Sequence, residues 1–145
     1  MAIIFTGLQL RGDPMNFTVG YKYTREQINV ALGGSIQAFL PTVDGKVVCG
    51  CFKPDPDMNP FAPEEVLFGH EGESTGINKA ADIVFQQGID HQAIPVFLKR
   101  KSNEWEYCGE YLCIGMTRDP RIVARKKQEH PKRGEFHGVL RFEKI

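Results

Sequence analysis

The order of strand-like and helix-like segments constrains the fold of this chain more than any other sequence feature. About six or seven short strand-like segments are interrupted by three helix-like segments, and the two types do not alternate regularly. A doubly wound parallel sheet needs regular alternation, so that architecture is disfavoured. The order instead predicts an α+β fold, with a small curved sheet or β-barrel flanked by about three helices.

Capping signals locate the three helices. Thr24 and Gln27 form a capping-box pattern at the start of a helix that a Gly-Gly pair ends. A second helix is predicted in NKAADIVFQQG, and Gly88 is expected to end it. The third is predicted in DPRIVARKKQEH, because aspartate caps helices and proline is favoured at the first helical position.

Runs rich in β-branched and aromatic residues, bounded by turn residues, locate the strands. A hairpin turn is predicted at Gly45-Lys46, a non-helical loop in the proline-rich segment KPDPDMNPFAPEE, and a turn region at Cys108-Gly109. The predicted strands are MAIIFTGLQL, KVVCGCF, EEVLFG, IPVFLKR, the segment around Trp105, the segment from Tyr111 to Gly115, and FHGVLRFEKI.

Length and charge indicate one domain with an uneven charge distribution. With 145 residues the chain has the size of an ordinary domain, so residues 1–145 are expected to form a single one. The formal net charge is zero, yet Met1 to Leu98 carries 6 Lys and Arg against 11 Asp and Glu, whereas Lys99 to Ile145 carries 12 against 7. The last third is therefore the expected electropositive surface. Without a signal pattern or a long apolar run, a soluble cytoplasmic protein is expected.

The segment IPVFLKRKSNEWEYCGEYLCIG combines basic and aromatic side chains within one predicted hairpin or meander. Three consecutive cations close its first strand, and one tryptophan and two tyrosines follow within a few residues. Cations neutralise phosphates, and flat aromatic faces stack on bases. The combination is typical of nucleic-acid binding proteins, although core aromatics beside a solvated basic face would give the same pattern.

The cysteines and histidines do not follow a metal-site motif. The pairs Cys49/Cys51 and Cys108/Cys113 fit neither a zinc ribbon nor a secreted disulfide framework, so buried free thiols are predicted. Cys49 and Cys51 are two residues apart in a strand and are expected to face the same side. The four histidines lie in different elements and are predicted to be surface or loop residues. No metal, cofactor or catalytic residue is therefore assigned.

Three segments together resemble a known group of nucleic-acid readers: YKYTREQINVALGGSIQAFLP, GKVVCGCFKPDPDMNPFAPEEVLFG, and IPVFLKRKSNEWEYCGEYLCI before a basic helix and a last strand. They are similar to the PUA and SRA-like reader domains of bacterial modification-dependent restriction systems, from about Tyr21 to the C-terminus. The Arg-Tyr-Asp-Gly run of SRA domains is absent, so cytosine methylation is not implied. The matching motifs are W-x-Y-x-G-x-Y at Trp105, Tyr107, Gly109 and Tyr111, and Gly-Gly-Ser-x-Gln at Gly33, Gly34, Ser35 and Gln37.

The resemblance implies a non-catalytic module that binds modified double-stranded DNA and takes one base out of the stack into an aromatic pocket. Because such domains often occur beside an HNH or other nuclease, a nuclease partner is a further expectation. The predicted base pocket consists of Ser35, Gln37, Phe39, Trp105, Tyr107 and Tyr111. The predicted phosphate-binding groove consists of Lys99, Arg100, Lys101, Arg121, Arg125, Lys126, Lys127, Lys132 and Arg133.

Two alternative functions stay open. A metal-dependent enzyme acting on nucleic acid or nucleotides would use acids of the proline-rich loop, and it predicts turnover that is lost on changing Asp55 or Asp57. A protein-interaction domain of a larger effector would dock through an exposed edge of the strand that begins at Ile94. That second alternative predicts a stable protein partner and no nucleic-acid affinity at physiological salt.

Overall fold

The structure is a computed structural model, and it describes residues 17–69 and 75–145 of the chain. The predicted strand MAIIFTGLQL lies outside these ranges. The described residues form eight strands and three helices, in the order β1 (Lys22–Tyr23), α1 (Arg25–Leu32), β2 (Thr42–Val43), β3 (Lys46–Val47), β4 (Gly50–Phe52), β5 (Glu65–Phe68), α2 (Thr75–Ile89), β6 (Ile94–Lys101), β7 (Glu104–Thr117), α3 (Pro120–Glu129) and β8 (Gly138–Lys144).

Six of the strands form one mixed sheet, which curls into a half-barrel. The strand order is β4-β6-β7-β8-β5, and β1 pairs with β7 beside this path. The β4–β6 pair is parallel and the other pairs are antiparallel. The remaining strands, β2 and β3, form a hairpin whose turn residues Asp44 and Gly45 have positive φ angles of 50° and 76°. The predicted α+β fold with a curved sheet and three helices is confirmed.

Each helix covers a different group of buried side chains. α1 packs over Phe97 and Trp105, on one face of the sheet. α2 contributes Ala81 and Val84 to the larger core on the other face. α3 buries Val123 against a smaller cluster beside β5 and β8. The amphipathic patterns thus place one helix against each part of the curled sheet. No helix within the described ranges has the length and hydrophobicity needed to cross a membrane.

The predicted turn at Cys108-Gly109 is a β-bulge inside a single 14-residue strand, β7. Val96 lies opposite Gly109 and the next residue, Phe97, lies opposite Tyr107, so β7 contains one extra residue at this point. Gly109 has a φ of 114°, a conformation that favours glycine. The extra residue interrupts the two-residue alternation of side chains. The turn prediction was wrong because a bulge and a turn share the same glycine signal.

Two other element boundaries differ from the predictions. The segment KVVCGCF forms two strands, β3 and β4, because the chain leaves the β2–β3 hairpin before it pairs with β6. Gly88 does not end the second helix, which runs on to Ile89. A Cβ atom on Gly88 would lie 1.9 Å from the carbonyl oxygen of Cys113, so the glycine is needed for close contact between α2 and β7. Helix packing, and not helix termination, explains this glycine.

The strand that begins at Ile94 does not offer an open edge along its centre. β6 lies between β4 and β7, and β4 pairs with it in parallel along Val96–Leu98. Strand addition at that edge needs unpaired backbone groups, which β4 already occupies. The predicted docking edge is therefore corrected by the sheet order.

Candidate nucleic-acid interface

A cavity of about 760 Å³ lies where several loops meet at one end of the sheet. Its walls come from the loop after α1, the end of β4, the proline-rich loop that follows β4, and the β6–β7 turn. Side chains of β5, α2 and the segment after α3 complete the lining. A volume of several hundred cubic ångströms is typical of sites for small organic groups, including a nucleotide base.

Four of the six predicted base-pocket residues line this cavity: Ser35, Gln37, Phe39 and Trp105. Tyr107 and Tyr111 are not among its lining residues, and the bulge at Gly109 places them in different cores. Tyr107 lies in the core under α1 and donates a 2.7 Å hydrogen bond from its hydroxyl to Glu110 Oε2, and burial raises its pKa. Tyr111 lies in the core under α2, where burial also raises its pKa.

The loop from Gly33 to Ala38, here called the glycine loop, is held against α1. The capping box is formed as predicted, since Gln27 N donates to Thr24 Oγ1 at 3.1 Å and Thr24 N donates to Gln27 Oε1 at 2.9 Å. Gly33 ends the helix with a φ of 89°, which favours glycine. The chain then turns sharply towards the cavity. The sequence pattern predicted the helix end correctly, and four residues of the loop line the cavity.

Two cations lie over the ring of Trp105. The Arg25 guanidinium carbon lies 5.1 Å from the centre of the tryptophan ring, and Lys99 Nζ lies 5.9 Å from it. Only 4% of Trp105 is exposed. The cations and the surrounding core therefore leave little of the ring surface available for stacking on a ligand.

Phe39 is the aromatic lining residue that retains open surface. It is half-buried at the cavity wall, and its ring centre lies 6.3 Å from that of Phe52, which is fully buried beneath it. A half-buried ring supported from below can offer one face to a flat ligand. The geometry makes Phe39 the stacking candidate and makes Trp105 a supporting residue.

The cavity is electropositive among the residues that the structure describes. Four cationic side chains line it, Arg25, Lys53, Lys99 and Arg133, and no described lining residue is an Asp or a Glu. Lys99 and Arg133 both belong to the predicted phosphate-binding groove, and they come from the end of β6 and from the segment after α3. The fold thus brings two cations that are 34 positions apart in the basic last third of the chain to one cavity.

The other predicted phosphate-binding residues lie on the surface, and several are paired. Arg100 Nε lies 2.8 Å from Glu106 Oε1, Arg121 pairs with Asp119, Lys127 with Glu135, and Lys126 with Glu65 and Glu129. The exposed pairs among these are weak and exchange readily with other anions, whereas the pair between Lys126 and Glu65 is largely buried. The side chains of Lys101, Arg125 and Lys132 are exposed. These residues could contact a long polyanion, but the cavity itself is bordered by Lys99 and Arg133.

Several lining residues were not singled out from the sequence. Asn59 is buried, and its Oδ1 accepts a 2.6 Å hydrogen bond from Leu67 N, which fastens the proline-rich loop to β5. Met58 lines the cavity beside it. Asn103, in the β6–β7 turn, has a φ of 53° and accepts a 2.9 Å hydrogen bond from Arg25 N. The Asn-Pro and Ser-Asn turn signals mark these positions as turns and carry no information about the cavity.

The cysteines are buried thiols, as predicted for Cys49, Cys51 and Cys113, whereas Cys108 is half-buried. Cys49 and Cys51 face the same side, with their Sγ atoms 3.9 Å apart, and Cys51 lines the cavity. Their hydrogen bond raises the pKa of Cys49 and lowers that of Cys51. In the described part of the chain no three metal-ligating side chains converge, and Asp55 and Asp57 are exposed.

His130 corrects the expectation that the histidines are surface or loop residues. It caps the end of α3 and is 3% exposed, and its Nε2 lies 2.8 Å from Glu65 Oε1. Lys126 Nζ lies 2.7 Å from the other oxygen, Glu65 Oε2, and this hydrogen bond raises the pKa of Lys126. Glu65 therefore ties α3 to β5, and with it the segment that carries Arg133.

A family model described as "Domain of unknown function (DUF6697)" matches residues 22–131. The chain belongs to this family. The matched range of the DUF6697 member includes the glycine loop, the proline-rich loop and the β6–β7 turn, which form most of the cavity wall. No curated protein matches the sequence.

Solved structures share the fold of this DUF6697 member. One is described as SUVH5 SRA in complex with hemi-methylated CG DNA, with a TM-score of 0.59, 13% identity, and 94% of each chain covered. Another is described as SUVH5 SRA with fully methylated CG DNA in space group P6122, with a TM-score of 0.56, 13% identity, and 94% of this chain and 95% of that chain covered. The fold is therefore SRA-like. The PUA/SRA-like architecture implied by the sequence resemblance is confirmed at the level of the fold.

Proposed function

We propose that this chain is a DNA-binding module that recognises a modified base in double-stranded DNA and receives that base, flipped out of the stack, in the cavity. The observation that carries the proposal is the cavity itself. It is large enough for a base, it is lined by four cations and by Phe39, and it lies in an SRA-like fold. The SUVH5 SRA structures contain methylated DNA, which makes a modified duplex the first ligand to test.

Base flipping needs compensation that these residues can supply. Unstacking and unpairing a base costs a few kcal/mol, which stacking and hydrogen bonds to the base edge must recover. Phe39 offers a supported ring face, and stacking contributes about 1–3 kcal/mol per base. The side chains of Ser35 and Gln37 are exposed on the glycine loop at the cavity wall, and a glutamine amide can both donate to and accept from a base edge.

The cations around the cavity would position the DNA backbone beside it. Lys53, Lys99 and Arg133 line the cavity on different structural segments. Contacts from such residues to phosphates hold the register of the duplex without reading its sequence. In this proposal Lys99 and Arg133 supply affinity, whereas the glycine loop and Phe39 supply selectivity for the base.

A restriction-system role, a nuclease partner and a cytoplasmic location stay predictions. The identity of the modification also stays open, since the Arg-Tyr-Asp-Gly run of SRA domains is absent. The proposal is a binding function, and it assigns no catalytic residue.

Fluorescence-polarisation binding to matched short duplexes tests the proposal. The duplexes carry plain, methylated, hydroxymethylated or phosphorothioated sites at the same position, and binding is measured at two salt concentrations. We expect one modified duplex to bind at least about tenfold more tightly than the plain one, which corresponds to about 1.4 kcal/mol. Equal affinity for all duplexes, or no binding to any, contradicts the proposal.

Phe39→Ala tests the cavity as the site of selectivity. Loss of the stacking face should lower affinity for the preferred duplex by about 5- to 100-fold and leave affinity for the plain duplex nearly unchanged. Tyr107→Phe is the matched control, because its ring is buried in the core under α1 and it does not line the cavity. Retention of full selectivity in Phe39→Ala would place base recognition elsewhere.

A further inference from the structure

We propose that Arg25 and Asn29 form a clamp on α1 that sets the shape of the glycine loop and thereby determines base selectivity. The inference rests on the proposed function, and it assigns a positioning role to two residues that do not belong to the predicted base pocket. They are four residues apart, so both project from the same side of α1 towards the loop.

The clamp grips the glycine loop through its carbonyl oxygens. Arg25 Nη2 donates to the carbonyl oxygens of Ser35, at 3.0 Å, and Ala38, at 3.2 Å. Asn29 Nδ2 donates to those of Gly33, at 3.2 Å, and Gly34, at 3.0 Å. Four of the six carbonyl groups in the loop are therefore bound by two side chains of one helix.

The two residues are also fixed to each other and to the β6–β7 turn. Arg25 Nε donates to Asn29 Oδ1 at 3.2 Å, and Arg25 N donates to Asn103 Oδ1 at 2.9 Å. Asn103 Nδ2 in turn donates to Glu26 Oε1 at 3.0 Å, a bond that lowers the pKa of Glu26. The guanidinium of Arg25 also lies over the ring of Trp105. One arginine thus connects the helix, the loop, the turn and the tryptophan.

The environment of Arg25 requires this geometry. Only 7% of the residue is exposed, and a buried guanidinium needs partners for its donors. In the described part of the chain its partners are carbonyl and amide oxygens, and no carboxylate forms an ion pair with it. The positive charge is therefore held at the cavity wall without neutralisation by an acid.

Fixing the loop affects selectivity because the loop carries the groups that would meet the base edge. Ser35 Oγ accepts a 3.2 Å hydrogen bond from Gln37 N, so the two side chains depend on one loop conformation. A preformed loop loses little conformational entropy on binding. A disordered loop would lose more, and this loss would reduce the affinity gained from its contacts with the base. The cations proposed to contact phosphates, Lys99 and Arg133, are not the residues that hold the carbonyl groups of the loop. Selectivity and salt-dependent affinity should therefore separate when the clamp is weakened.

Arg25→Lys tests the clamp, because lysine keeps the charge and loses the planar fork that reaches two carbonyls at once. Hydrogen exchange of a peptide covering residues 33–40 is measured without DNA, and the emission of Trp105, the one tryptophan of the chain, reports on the stacked cation. We expect exchange in this peptide to become about tenfold faster, because the loop loses one charge-assisted hydrogen bond and therefore opens more readily. The preference for the modified duplex should fall by about tenfold, with an unchanged salt dependence.

Two further variants keep the test decisive. Arg141→Lys is the matched control, because Arg141 is exposed on β8 and does not line the cavity. If Arg25→Lys does not fold, Asn29→Ala removes the bonds to Gly33 and Gly34 and the acceptor of Arg25 Nε, and it leaves in place the groups that form the two bonds from Arg25 to Ser35 and Ala38. A general loss of stability would instead accelerate exchange throughout the protein, not only in the glycine loop.

The outcomes distinguish this inference from the proposed function. Unchanged exchange in residues 33–40 overturns the clamp, whatever the wild-type protein binds. Faster exchange with full selectivity overturns the link between loop shape and recognition. Failure of the wild-type protein to prefer any modified duplex overturns the proposed function and the selectivity role together, even where the exchange data support the clamp.

Discussion

Glu65 is the residue on which the position of α3 depends. It is 7% exposed, and its two carboxylate oxygens bind different side chains, Lys126 and His130. In addition, the Phe61 ring packs edge-on against His130, with ring centres 5.1 Å apart. A buried carboxylate without these partners would lower the stability of the fold. Loss of the carboxylate would lower it as well, because it would leave the buried partner unpaired. The interaction joins β5 to the helix whose C-terminal extension carries Arg133.

Glu65→Ala should therefore lower the free energy of unfolding by about 2–4 kcal/mol, because it removes the partner of the buried His130 Nε2 and leaves the half-buried Lys126 with the exposed Glu129 in place of a buried carboxylate. Urea unfolding followed through Trp105 fluorescence measures the change. Glu129→Ala is the control. Glu129 also pairs with Lys126, but its side chain is 48% exposed, so the expected loss is below about 0.5 kcal/mol. Equal effects of the two substitutions would contradict a structural role for the buried carboxylate.

The pH dependence of this interaction follows from the raised pKa of Lys126. A lysine whose folded pKa is raised contributes stability that is fully present below its ordinary value of 10.5 and is lost as the pH rises through the folded pKa. The difference in stability between wild type and Glu65→Ala should consequently persist at pH 9 and shrink as the pH rises through the raised pKa of Lys126.

Interactions between residues close in the sequence could be predicted, whereas interactions between residues far apart in the sequence could not. Glu65 follows another acid, Glu64, and nothing in the sequence pairs it with His130, which is 65 residues away. The role of Arg25 could not be predicted for the same reason, because its backbone N–H donates to the side chain of Asn103, which is 78 residues away. Thr24 and Gln27, three residues apart, were predicted correctly because the capping box is a local interaction.

At the scale of elements, Gly88 determines how closely α2 approaches β7. Gly88→Ala places a Cβ atom 1.9 Å from the Cys113 carbonyl oxygen, and backbone cannot rotate away as a flexible side chain would. We expect a loss of about 1–3 kcal/mol or more, as for overpacking in a core. Gly134→Ala is the control, since a Cβ there meets no atom within 4 Å. Thermal unfolding measures both variants, and an equal Tm for the two would contradict close packing at Gly88.

The sequence predicted which segments form helices or strands better than it predicted where one strand ends and the next begins. Helix caps and apolar runs located all three helices and most strands, because those signals are local. In a strand with regular alternation the three aromatic residues of the W-x-Y-x-G-x-Y segment would share one face. The bulge at Gly109 assigns Trp105 and Tyr107 to one core and Tyr111 to the other. Only the pairing of β7 with β6 distinguishes a bulge from a turn at this glycine.

At the scale of the whole molecule, the fold turns a charge gradient along the sequence into a local electropositive site. Lys99 and Arg133 are separated by a complete strand, a helix and a loop, yet both line the cavity with Phe39 and the glycine loop. Composition predicted which part of the chain is basic. It could not predict that Arg25 and Lys53, from the acidic part, would join these residues at the cavity.

This assembly predicts a specific salt dependence of DNA binding. Removing one phosphate-binding cation should reduce the slope of log affinity against log salt by about 0.9, so Lys99→Gln with Arg133→Gln should reduce it by about 2. Affinity should fall for plain and modified duplexes alike, because phosphate contacts carry no base information. Lys46→Gln is the control, since Lys46 is exposed on the β2–β3 hairpin and does not line this cavity.

The double variant also separates two roles for the cavity cations. A reduced slope with unchanged selectivity assigns Lys99 and Arg133 to the DNA backbone, where diffuse charge acts on any duplex. An unchanged slope with reduced selectivity means that they bind the base inside the cavity, because an interaction with a neutral base edge releases few counterions. Fluorescence polarisation at four or more salt concentrations gives both quantities from the same titrations. Unchanged slope and unchanged selectivity would show that DNA does not approach this end of the sheet.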